Sequence, residues 1–148
     1  MAGLGQTTRA DLLNLVFKGT ALTGKAAAGA GTYYISPHTA DPGEDGQTSN
    51  EVSTSGTAYA AKATTSSDWS TASAASPAET SNANVLSYAQ ATGSGFGTVT
   101  HAALWNHATN RAAANFLGRG ALGSSQAVAA GNTFSFPVGT LKIQMSSV

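Results

Sequence analysis

The chain has 148 residues, no cysteine, and seven basic against seven acidic side chains, for a formal net charge of +0. Only 9% of its residues are charged, against about 25% in ordinary domains, while Ala, Thr, Ser and Gly together make up more than half of the sequence. These figures exclude disulfide scaffolds, thiolate zinc sites and cysteine nucleophiles, and they leave no basic field to attract nucleic acid or anionic lipid.

No apolar run approaches the roughly 20 residues of a membrane helix, and no basic segment followed by an apolar core opens the chain. A single uncleaved domain is expected over residues 1–148, with a flexible arm at 1–8, a helix at 9–18 and a β domain at 32–148. The helix rests on Thr8 as its N-terminal cap with Asp11 three residues on. Leu12, Leu13, Val16 and Phe17 then fall on one stripe, and Lys18 and Gly19 suit the C-terminal end. From Thr32 the period changes to two. Tyr33 and Ile35 alternate with Tyr34 and Ser36 in a strand that runs into Pro37 and His38, and Asp41 to Asn50 is a loop rich in turn formers. Tyr59 to Thr64 is a weaker strand, and Ser66 to Asn84 reads as turns with room for one short strand. Val85 to Gln90 is a further strand, and Gly93 to Gly97 is a turn. Thr98 to Trp105 is a strand with Val99, Ala103 and Trp105 on one face, and Asn106 to Arg111 is a polar turn. Ala113 to Leu122 holds Phe116 and Leu117 ahead of two glycines, and its alanines leave helix and strand both open. Phe134 to Val138 and Leu141 to Met145 alternate most clearly and read as a strand pair. Short strands spaced by turn residues predict a mainly β fold, an antiparallel β-sandwich or small barrel with one short N-terminal helix.

Chemistry-bearing motifs are scarce. Gly19 to Ala26 has the glycine and lysine spacing of a phosphate-binding loop, but Ala26 stands where a magnesium-binding hydroxyl is needed, and a helix precedes it where a strand should. His38, His101 and His107 lack the convergent spacing of a metal site. The acidic residues Asp41, Glu44, Asp45 and Glu51 do not follow a calcium-loop pattern. No serine stands in a nucleophile elbow. The expectation is a protein that is not an enzyme, with no catalytic residues, no cofactor and no metal.

Three segments carry a resemblance. Leu15 to Ala21 (LVFKGTA), Tyr33 to Glu44 (YYISPHTADPGE) and Gln47 to Val52 (QTSNEV) occur in order, followed by Gly97 to His101 (GTVTH) and the alternating close from Phe134 to Met145. The chain resembles a family of small tailed-bacteriophage virion proteins, often labelled tail fibre or minor structural proteins. Two positions depart from that pattern. Pro37 stands where leucine is expected, which points to a sheet edge or an early strand end. Thr57 to Ala61 (TAYAA) stands where Gly-Tyr-Ala-Arg is usual, so an arginine contact there is not carried over.

The resemblance implies a non-enzymatic structural role in the virion, assembled in the host cytoplasm. Its expected partners are other virion proteins, either the major capsid protein or tail proteins, with no nucleic acid and no membrane. Few charges lower the desolvation cost of packing flat surfaces together, which favours a homo-oligomer, a trimer by the habit of such proteins. The reading preferred at this point is a capsid decoration (cement) protein bracing the head lattice, with a tail fibre, adaptor or receptor-binding component as the alternative. Residues expected to contact partners are Leu4, Gln6, Thr7, Leu12, Val16, Phe17, His38, Asp41 and Glu44.

Overall fold

The structure is a computed structural model that describes residues 3–4, 17, 31–46, 48–73 and 78–145. Among these residues the strands are β1 (Gly3–Leu4), β2 (Tyr33–His38), β3 (Lys62–Thr64), β4 (Ala78–Ser81), β5 (Leu86–Ser87), β6 (Gly97–Trp105), β7 (Phe116–Val128), β8 (Ser135–Phe136) and β9 (Lys142–Met145). One sheet has the order β1-β7-β6-β2-β3, and two small sheets pair β4 with β9 and β5 with β8. Every pairing is antiparallel. The mainly β, antiparallel expectation holds, and no sheet closes into a barrel among the described residues.

The helical elements described are two 3-10 turns, Ser66–Asp68 and Ala113–Asn115. The predicted helix at 9–18 lies outside the described residues except for Phe17, which has helical backbone and is 80% exposed. The Gly19–Ala26 segment lies outside them entirely. Gly3–Leu4, inside the expected arm, adds to the edge of β7 opposite Arg119 and Gly118.

Alternation along β2 separates the sheet into two faces. Ile35 points into an apolar cluster with Tyr59, Leu86, Tyr88, Phe96, Phe134 and Phe136. Tyr34 belongs to the opposite face with Ala103, Trp105 and Phe116. In β6 the pairing slips between Val99 and His101. That irregularity reverses the alternation, so Val99 joins the first cluster while Ala103 and Trp105 join the second. The single face predicted for Val99, Ala103 and Trp105 is thus corrected: a bulge shifts the side-chain period by one.

Two other pairings differ from the sequence reading. The segments around Phe136 and Ile143 are strands, but β8 pairs with β5 and β9 with β4. Asn82 explains the separation. Its Nδ2 donates to the carbonyls of Asn84 and Pro137 at 2.8 Å, and its Oδ1 accepts from Leu141 N–H at 2.9 Å. This buried amide holds the 137–141 turn open from a hairpin and steers β9 onto β4. The ambiguous Ala113–Leu122 segment becomes a turn followed by the longest strand, β7.

Candidate functional site

β2 ends at His38, and the chain then leaves the sheet as a loop that returns at Glu51, where His38 and Glu51 form a bridge. Thr39 N–H donates to Asn50 O at 2.8 Å, and Val52 N–H donates to Pro37 O at 3.1 Å, closing the loop at its base. β3 covers β2 only up to Ile35, so among the described residues the outer side of β2 at Pro37 meets only the returning chain at Glu51 and Val52. The Pro37 carbonyl faces that side, and so does the position of its missing N–H, which leaves the β6 ladder intact.

The loop lies over the Trp105–Phe116 face. Gly46 has φ of 71°, and a Cβ there would sit 2.6 Å from Phe116 Cδ2 and Trp105 Cη2. Both the left-handed backbone and the close approach require glycine. Beneath the loop runs a directed chain of hydrogen bonds. Asn50 Nδ2 donates to Asp41 O at 2.8 Å, which turns Asn50 Oδ1 toward His38 Nδ1 at 2.7 Å. His38 Nδ1 therefore carries the proton, and Nε2 accepts from Ser36 Oγ at 2.8 Å. The Ser36 oxygen in turn accepts from Trp105 Nε1 at 2.8 Å. Burial holds the His38 pKa below its ordinary value, although Asn50 and the Glu51 charge oppose that shift.

Next to this chain stands an ion pair. Arg111 Nε and Nη2 donate to the two Glu51 oxygens at 2.9 and 2.8 Å, and Tyr59 O–H donates to Glu51 Oε1 at 2.6 Å. The guanidinium carbon lies 4.8 Å from the Trp105 ring centroid. Burial raises the Glu51 pKa, but the bonds from Arg111 and Tyr59 and the Arg111 charge outweigh it and hold the carboxyl below its ordinary range. The Tyr59 hydroxyl is pushed up by burial and by Glu51.

Ser36, His38 and Asn50 share the connectivity of a hydroxyl, imidazole and amide triad. Ser36 and His38 are both 0% exposed, and the hydroxyl oxygen is taken by Trp105, so no substrate carbonyl reaches it here. The arrangement anchors a loop. It was detectable in part from sequence, since residues 36 and 38 share a face at period two. The Glu51–Arg111 pairing was not, because 60 positions separate its members.

Among the residues expected to contact partners, Leu4 lies in β1 opposite Gly118, and Gln6, Thr7, Leu12 and Val16 lie outside the described residues. Phe17 is exposed, while His38 is wholly interior. Asp41 and Glu44 are on the exposed loop. Asp41 accepts from Gly43 N–H at 2.8 Å and is ion-paired with Arg119. Glu51 is turned inward, away from the other acids. The structure thus presents Asp41, Glu44, Asp45, Thr48 and Ser49 outward, with Pro42 and Gly46 buried beneath them, on a base fixed by interior bonds, a geometry suited to holding a contact surface in one shape.

The family model described as Podophage GP4 fiber I protein gp80 matches residues 3–144. The chain belongs to this family. It is a phage structural protein and a virion component. A search of curated proteins finds no match. The fibre description stands against the preference for capsid decoration drawn from composition and supports the alternative. Small, neutral surfaces suit any repeated packing and do not distinguish head from tail.

Proposed function

We propose that this protein is a fibre component of a phage tail that acts by binding other virion proteins and has no catalytic role. The observation that carries the reading is the fibre family match across residues 3–144. The β domain serves as a rigid carrier. The loop at 41–49, with Asp41 and Glu44, and the N-terminal segment bearing Leu4, Gln6, Thr7, Leu12, Val16 and Phe17 supply the contacts. Self-association, as a trimer, belongs to the same reading. Quantitative mass spectrometry and immunogold labelling of purified particles test it. A small multiple of the tail symmetry, with gold on the tail, is the expected result. Lattice-scale copy number with gold over the head would return the protein to capsid decoration.

A further inference from the structure

One buried titratable group ties the returning loop to the sheet. His38 stands on β2, and its ring holds Asn50 of the loop through Nδ1 and Ser36 of its own strand through Nε2. Ser36 and His38 have no exposed surface, so every polar hydrogen between them needs an acceptor inside the protein. With a neutral imidazole each has one. Trp105 Nε1–H lies on Ser36 Oγ, the Ser36 hydroxyl hydrogen on His38 Nε2, and the His38 Nδ1 hydrogen on Asn50 Oδ1.

A second proton on the ring does not fit this arrangement. It turns Nε2 into a donor facing a hydroxyl that already donates, and it strands the Ser36 hydroxyl hydrogen in the interior, where an unmet polar group is costly. The charged groups around the ring divide. Glu51 on the returning chain favours an imidazolium, whereas Arg111 from the 106–111 turn and His101, directly opposite on β6, oppose it. Asp41 meets the chain only by its carbonyl, which accepts from Asn50 Nδ2, while its carboxylate takes Gly43 N–H and Arg119. The Glu51 carboxylate is taken by Arg111 and Tyr59. Neither carboxylate is bonded to the ring. The weak point is therefore the loop: β2 is held to β6 by its backbone ladder, and the aromatic cluster around Phe134 has no member in the hydrogen-bonded chain.

We propose that Ser36, His38 and Asn50 form a proton-operated latch, in which uptake of one proton by His38 releases the loop at 39–50 and uncovers Trp105 and Phe116 while the aromatic cluster stays folded. The latch belongs to the chain alone, so its failure leaves the fibre reading standing. The test follows amide hydrogen exchange of the full chain between about pH 7.5 and about pH 5.5, corrected for the intrinsic exchange rate. Thr39 N–H and Glu51 N–H bond to Asn50 O and Thr48 O. Their opening should rise about tenfold at the lower pH, the factor for one imidazole freed to titrate at its ordinary value. Tyr88 N–H and Phe96 N–H, bonded to Phe134 O and Val128 O, should not change. His38→Gln, which keeps a donor and an acceptor but no titrating proton, should abolish the rise, and His101→Gln should retain it. One check needs no variant: the nuclear magnetic resonance titration of the His38 ring in the wild type should track the opening at Thr39. Equal opening at both pH values, a rise that persists in folded His38→Gln, a rise shared by Tyr88 and Phe96, or a ring titration that does not track the loop overturns the proposal. Loss of the rise in His101→Gln assigns the proton to His101 and overturns it as well.

Discussion

The two faces of the β7-β6-β2 sheet are held by different physics. On one, Phe134 lies 5.4 Å from Tyr88 and 5.0 Å from Phe136, ring centroid to ring centroid, in a cluster closed by Ile35, Leu86 and Val99. Its stability comes from area removed from water, which is non-directional and indifferent to charge. On the other, a small apolar patch of Trp105, Phe116 and Ala103 is roofed by a loop whose fit depends on Ser36, His38, Asn50, Glu51 and Arg111. A hydrogen-bonded face adds little net energy per bond but loses much when one partner is removed. The aromatic face sets whether the domain folds, and the polar face sets whether the 41–49 loop keeps its shape. Substitutions can separate the two.

The largest expected effect is on the aromatic face. Phe134 is 0% exposed, so Phe134→Ala should cost about 3–5 kcal/mol, read as a lowered denaturant midpoint by every probe of structure at once. Next comes Arg111→Ala, which leaves the Glu51 carboxylate with Tyr59 alone in a site where its side chain is 12% exposed. Breaking a buried pair costs about 3 kcal/mol or more, and the loss should appear first as proteolysis within 39–51. Restoration of the wild-type midpoint by the further change Glu51→Gln would confirm that the stranded charge is the cause. A uniform loss of protection over the whole domain would show that the two faces are not separable.

Acid should act on the polar face by two routes of known sign. His38 is held neutral, with a folded pKa below 6.5. The unfolded chain takes up that proton first, so stability is full above 6.5 and falls as the pH drops toward the folded value. Glu51 has a folded pKa below 4.5. Its contribution is present above 4.5 and is lost as pH falls through the folded value, together with those of Asp41 and Asp68, whose pKa values are also lowered. His38→Gln should remove the slope just below neutrality and leave the lower one. An unaltered slope in that variant would place the first proton elsewhere.

The aromatic face was the legible one. Alternation grouped Phe134 and Phe136, both interior, with Val138, which is exposed, and turn residues bounded β2, β6 and β9 while β3, β5 and β8 proved shorter and β7 longer than expected. What alternation does not encode is the partner of a strand. β8 and β9 are adjacent in sequence yet pair apart because a single buried amide, Asn82, takes the turn between them. A bulge has no period either, so Val99 was placed on the wrong face. The polar face was legible only as the loop and as the spacing of Ser36 and His38. Its decisive bonds join Glu51 to Arg111 and Ser36 to Trp105 across the fold, and no local pattern announces such pairs. The outward placement of Asp41 and Glu44 followed from loop composition, whereas His38 has no surface to offer.

The smallest effect links the faces through one backbone angle. Ala58 has φ of 58°, the one non-glycine residue with positive φ among those described. The resemblance to tailed-phage virion proteins leads one to expect glycine there, ahead of the tyrosine that stands at 59. The turn is held by Thr57, whose hydroxyl donates to Ser53 O and whose carbonyl accepts from Thr92 N–H at 3.0 Å. The reversal at Ala58 brings Tyr59 inward, with its ring in the aromatic cluster and its hydroxyl on Glu51. An alanine in this conformation costs roughly 1–2 kcal/mol, and a glycine would relieve that cost while giving back about 0.5–1 kcal/mol in unfolded-chain entropy. Ala58→Gly should therefore stabilise by about 0.5–1 kcal/mol, seen as a small rise in melting temperature with the Tyr59–Glu51 bond and the acid response unchanged. A fall in melting temperature would show that the entropy of the unfolded glycine outweighs the strain, and that Tyr59 holds its place without help from the turn.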